Sequence, residues 1–224
     1  MLKFWSSSIG KKILMALSGA ALILFLIAHL LGNLEVFAGP EGINAYGVFL
    51  RSMPKILWAA RIGLIVAFVL HIYTSIQLSL ENRAARPVKY VNKKSRAATF
   101  ASRTMLLGGL VVASFLLYHL AHFTWGITNP DHFGLIDAKG RHDVYSMIIL
   151  GFSNPYICAL YALAQVCLAF HLSHGIGSAA QTFGLTTTKW GRALRVGGAG
   201  FAVVLCLGYL SIPFSVLMGW LHAA

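Results

Sequence analysis

The sequence predicts an all-α integral membrane bundle of five transmembrane helices with a cytoplasmic N-terminus, and three observations lead to it. The 224 residues are 58% hydrophobic and 11% charged, with a mean hydropathy of +0.73, whereas soluble domains carry about 25% charged residues. The apolar residues fall in five runs, each long enough to cross a hydrocarbon core of ~30 Å at ~1.5 Å per residue. The basic residues lie between those runs, alternately dense and sparse. A single transmembrane domain, 1–224, accounts for the chain.

The first span, 13–35, follows a short polar start. Its apolar region exceeds the roughly 7–15 residues of a signal peptide, and no A-x-A cleavage pattern follows it. Residues 35–52 read as a loop, with Gly39, Pro40 and Gly42 as breakers and INAYGVFL lying along the interface. The second span, 55–80, opens at Pro54, whose missing N–H costs nothing in a first turn. The most basic loop, 81–103, leads to the third span, 104–127, which ends before Asn129 and Pro130. After the polar stretch TNPDHFGLIDAKGRHD, Asn154 as cap and Pro155 as first helical residue open the fourth span, 155–180. Residues 181–195 are again polar and basic, and the fifth span is 196–221, with a kink expected at Pro213.

Charge sets the orientation. The N-terminus, the second-to-third loop and the fourth-to-fifth loop hold 13 of the 18 Lys and Arg residues, which places them in the cytoplasm; Arg51, Lys55, Arg61, Lys139 and Arg141 fall on the other side. The net charge of +12 is therefore a matter of topology and implies no nucleic acid. Cys158, Cys167 and Cys206 lie in apolar segments without a C-x-x-C pair, so neither a disulfide framework nor a zinc site is indicated, and C-x-x-C-H for covalent haem attachment is absent. There is no G-x-G-x-x-G and no cluster-ligating cysteine set.

Four spans carry a histidine in their interior, where an ionisable group is expensive and marks an ion path, a proton relay or a bound cofactor. His29 and His119 lie roughly 24–26 Å from the cytoplasmic ends of their helices, and His71 and His171 roughly 15–18 Å. Helices one and three thus offer one pair of imidazoles, and helices two and four offer another at a different level. A lone histidine could hydrogen-bond between helices or face a polar cavity. Four at paired depths are the arrangement that two stacked bis-histidine b haems need, since haem iron takes axial imidazoles from facing helices. Ser173, Gly175, Gly177 and Ser178 remove bulk beside His171, as a planar ligand would require. His122 and His174, each at i+3 from a candidate, stay open as alternative ligands. Depth favours His119 over His122, and the level of His71 favours His171 over His174. His132, His142 and His222 read as ordinary surface residues.

SSSIGKKILMALSGAALILFLIAHLLGN, VLHIYTSIQL, LLYHLAHF and FHLSHGIGSAAQTFG together resemble the cytochrome b membrane subunit of succinate:quinone oxidoreductases, the five-helix, two-haem type. The resemblance covers essentially the whole chain. It implies a multi-pass subunit of the bacterial cytoplasmic membrane that anchors a flavoprotein and an iron–sulfur protein. Such a subunit passes electrons between succinate and menaquinone or another quinone, in succinate dehydrogenase or fumarate reductase, and the complex can form a higher oligomer. Carried over by position, the haem ligands are His29 and His119 for the outer haem and His71 and His171 for the inner. Some fumarate reductases of this class place a glutamate, part of a proton path, where this chain has Ala169.

Lys12, Arg83 and Arg103 are candidates to neutralise haem propionates, although lipid headgroups would serve them equally. Glu41, Arg51, His122 and Trp125 are candidates for a quinone pocket, which needs a proton donor or acceptor beside an apolar slot. Ser18, Gly19 and Gly63 read first as small packing residues between membrane helices. The basic loops, with Lys93, Lys94 and Arg96, are the expected docking face for the partner proteins. Two rival readings remain: the cytochrome b subunit of a quinone-linked hydrogenase or formate dehydrogenase, and a transporter that relays protons through histidines.

Overall fold

The computed structural model describes residues 5–85, 100–187 and 189–222. These form helices α1 (Ser8–Leu34), α2 (Gly39–Arg51), α3 (Pro54–Ala84), α4 (Phe100–His119), α5 (Pro130–Phe133), α6 (Val144–Phe152), α7 (Pro155–Thr182) and α8 (Gly191–Leu217). The only strand-like pairing among them is an isolated bridge between Ile136 and His142. Five helices, α1, α3, α4, α7 and α8, are long and apolar enough to cross a membrane. Their outward faces carry large apolar side chains in the open, among them Leu24, Ile65, Leu107 and Val204, each more than 60% exposed. Apolar faces of that extent need a non-aqueous surround.

Local chemistry sets the helix ends. The Ser7 hydroxyl accepts from Gly10 N–H at 3.0 Å to cap α1, and the Asn154 side chain accepts from Tyr156 N–H at 2.9 Å to cap α7. Pro54 and Pro155 each occupy a first turn, where their missing N–H is harmless. α8 begins at Gly191, ahead of the expected 196, and runs on through Pro213 to Leu217. The early start carries Arg192 and Arg195 inside the helix, because helices continue past the apolar segment into the polar zone.

Helix packing relies on small residues, as it does where no hydrophobic force drives helices together. α7 and α8 share the most extensive contact. A Cβ added at Gly198 would stand 2.6 Å from Ile176, and one added at Gly208 2.7 Å from Leu30. Gly63, by contrast, faces open space, so the packing role expected for it is not seen.

The end of the bundle that carries residues 35–54 and 129–154 holds more structure than the sequence reading gives it. Residues 39–51 are helical rather than a loop: Pro40 sits in the first turn, and Gly42 is a close contact, its added Cβ falling 2.7 Å from Ala38. The apolar run VYSMIILGF forms α6, capped by Asp143, whose carboxylate accepts from Ser146 N–H at 3.1 Å. Asn44, 1% exposed, ties α2 to this cap: its Nδ2 donates to Asp143 at 3.0 Å and Asp137 at 3.2 Å, and its Oδ1 accepts from Tyr145 N–H at 3.0 Å. Ile148, Ile149 and Phe152 then bury against Val36, Tyr161 and Ile212. At the opposite end, Lys11 pairs with Glu81 and joins α1 to α3.

Candidate functional site

Four histidines of the long helices meet in two pairs. His29 of α1 and His119 of α4 have ring centroids 5.8 Å apart with planes at 84°. His71 of α3 and His171 of α7 lie 6.1 Å apart at 62°. His71 packs beside Ser18 and Gly19 of α1, and Ser18 precedes His29 by about 16 Å of helix, so the pairs occupy two levels, labelled inner (His71 and His171) and outer (His29 and His119) after the orientation expected from charge. An imidazole nitrogen meets a first-row metal at about 2 Å. Two rings that share one metal from opposite sides therefore have centroids roughly 6 Å apart.

In the inner pair, His71 Nδ1 lies 3.2 Å from the Met15 carbonyl and 3.4 Å from the Ser18 hydroxyl. A carbonyl only accepts, so Nδ1 carries the proton and donates it, leaving the lone pair on Nε2. The hydroxyl of Ser18 donates in turn to the Leu14 carbonyl at 2.8 Å. An Nδ1–H held by a carbonyl is the usual support of a metal-binding imidazole. Glycines of neighbouring helices make room for both rings. A Cβ at Gly19 would come 3.2 Å from His71 Cε1, and one at Gly109 of α4 3.4 Å from His171 Cε1. The glycines beside His171 in sequence do not play this part: Gly175 has nothing within 4 Å, and Gly177 approaches only Arg195, at 3.8 Å. His171 Nδ1 is buried with no hydrogen-bond partner among the described residues.

The outer pair is built differently. Phe25 stacks on His29 with centroids 5.2 Å apart, and the Asn33 amide donates to the His29 carbonyl at 2.7 Å. His119 is the last residue of α4 before a π-helical turn, Leu120–Thr124, an irregularity that recurs at functional positions. The turn carries His122 beneath α6, where it is 1% exposed. Both His119 and His122 reach the Tyr161 hydroxyl on α7, with Nδ1 at 3.2 Å and 3.0 Å respectively. An open apolar groove of about 390 Å³ between α4 and α7, walled in part by Phe115 and Tyr118, runs alongside.

His29 makes its ring contact with His119 and His71 with His171; no ring contact joins His122 to His29 or His174 to His71 among the described residues. His132 and His142 lie in the cap beside α2 and α6, where His132 approaches Asn129 at 3.5 Å and burial, with Arg51 nearby, lowers the pKa of His142. The carbonyl of His222 accepts from the Tyr145 hydroxyl. The proposed quinone residues are not gathered: Glu41 is held by Lys139 at 2.8 Å and Arg141 at 2.9 Å, Arg51 is exposed, Trp125 is 54% exposed and His122 is enclosed. Lys12, Arg83 and Arg103 are exposed, and it is Lys11 that forms an ion pair. Lys93, Lys94 and Arg96 lie outside the described residues.

Two features were missed in the sequence. Gly19, read from the sequence as a packing residue, does pack, against the ring of His71; its counterpart Gly109, likewise ten residues before a histidine, His119, was not singled out. Tyr161, in an apolar run, carries no comparable signal. Among the described residues no group of three or more His, Cys, Asp or Glu is placed to hold a metal ion. Two imidazoles per level are fewer than the protein ligands of a zinc site. Comparisons with protein-family models, with curated proteins and with solved structures gave no match.

Proposed function

We propose that the chain is the di-haem cytochrome b subunit of a bacterial succinate:quinone oxidoreductase. It would lie in the cytoplasmic membrane with its N-terminus inside and join a flavoprotein and an iron–sulfur protein to the quinone pool. The observation that carries this reading is the double pairing, His29 with His119 and His71 with His171, each at the spacing of two imidazoles on one metal. The likeness of the four histidine segments to that family supports it further.

The residues present fit haem. Each level offers two imidazoles from facing helices, the donors that haem iron would take from the protein. Bound haem supplies reversible one-electron transfer. His29 and His119 would hold the outer group, and His71 and His171 the inner. The Met15 carbonyl keeps His71 in the tautomer that leaves Nε2 free, and Gly19 and Gly109 admit the inner rings close to the helix backbones. In a membrane the long apolar helices would keep water from both levels. Succinate chemistry would belong to the partner proteins. The basic end, where Lys11 meets Glu81, is the side on which they would dock.

Purification of the chain from its native membrane under mild detergent tests this. The expected preparation carries a reducible b-type absorption band, bound flavin and iron–sulfur clusters, and reduces quinone with succinate. Intact protein with no b band would overturn the cytochrome reading; a b band with hydrogenase or formate dehydrogenase subunits would replace the succinate partner.

A further inference from the structure

We propose that Tyr161 is a positioning residue of the outer imidazole pair, which fixes the tautomer of His119 and ties that ligand to His122; this rests on the haem reading above. Its phenol oxygen stands 3.2 Å from His119 Nδ1 and 3.0 Å from His122 Nδ1. One hydroxyl has one proton, so it donates to only one of the two rings and accepts from the other. A ligand bound through Nε2 carries its proton on Nδ1. His119 is therefore the donor to Tyr161, and Tyr161 donates onward to His122 Nδ1.

The direction of the whole chain follows from the chemistry of its first member. It leaves His122 with its proton on Nε2, a buried atom against Gly151 with no partner among the described residues. Packing holds the phenol in place: Phe115 and Phe152 stand edge-on to its ring with centroids 4.8 Å and 4.9 Å away. At the inner pair, among the described residues, no phenol bridges two imidazoles: His71 Nδ1 lies 3.2 Å from the Met15 carbonyl and 3.4 Å from the Ser18 hydroxyl. The two levels are thus supported differently. A carbonyl is fixed by the helix, whereas the phenol is a polarisable acceptor strengthened by its own bond to His122.

Hydrogen bonding at Nδ1 raises the basicity of a ligating imidazole, which favours the oxidised metal and lowers its potential. Tyr161→Phe keeps the ring and its packing but removes the acceptor. The outer haem should then become about tenfold easier to reduce, an upward shift of about 59 mV for one electron, with a changed low-temperature EPR signature. The inner haem should not move. His122→Phe, which leaves Tyr161 in place but takes away the group that polarises it, should shift the outer haem in the same direction by less. Redox titration and EPR of the purified complex read all of this without turnover. Two haems present with outer potential and EPR unchanged in Tyr161→Phe overturn the inference and leave the cytochrome reading standing. If that variant does not accumulate, an unchanged outer signature in His122→Phe overturns it instead. Wild-type protein with no b haem removes both.

Discussion

Gly19 and Gly109 give the inner imidazoles their space. With Cβ atoms they would stand 3.2 Å and 3.4 Å from ring carbons of His71 and His171, and a branched side chain adds further bulk beside that contact. On the proposed haem reading, Gly19→Val should therefore displace His71 and reduce haem content towards half, while Gly63→Val, in open space, leaves it unchanged. Pyridine haemochrome assay of the two purified variants measures this, and equal haem in both would refute the role given to Gly19. The histidines could be read from the sequence because an imidazole in an apolar run is an anomaly that demands a partner. Gly109 could not be singled out in the same way, since glycine is common in membrane helices. Tyr161 looks like any core aromatic until its hydroxyl is seen between two rings.

The spans and the cap divide along the strength of their sequence signal. Five apolar runs of twenty or more residues leave little choice of structure, and the helices differ from expectation mainly at their ends, where polar turns extend beyond the apolar segment. α2 and α6 were hidden for different reasons. Pro40 and Gly42 resemble breakers but serve a helix start and a close contact, and VYSMIILGF is too short to stand out between a polar loop and a span. The cap they form is held by charge. Burial pushes the Asp137 carboxyl up, but donors from the Arg141 backbone and guanidinium, the Lys139 N–H and the Asn44 amide hold it at about 2 against an ordinary 3.8. Because that value is lowered on folding, its contribution is present in full above about pH 3.8 and is lost as the pH falls through about 2. Hydrogen exchange across 135–147 should rise over that window, and Asp137→Asn should remove part of the rise. An identical acid profile in both proteins would contradict this account of the cap.

At the scale of the molecule, the long helices do one thing together: they bring four imidazoles from four helices to two levels about 16 Å apart along α1. That there are two levels was readable from depth, because helix rise converts sequence distance into height, but the depths put them only about 6–11 Å apart, since the helix ends were placed from charge and not from where the helices begin. Which ring faces which within a level depends on helix rotation, and that is set by small-residue contacts such as Gly198 against Ile176 that no periodicity in so uniformly apolar a chain announces. The central claim is that the four histidines form two independent two-ligand sites, and haem stoichiometry in paired variants tests it most directly. Each single change, His29→Ala, His119→Ala, His71→Ala or His171→Ala, should cost one haem of two. The double change His29→Ala with His119→Ala should cost no more than either alone, because one site is already lost, whereas His29→Ala with His71→Ala should remove both. If the first double variant loses both haems while the second retains one, the pairing described here is wrong.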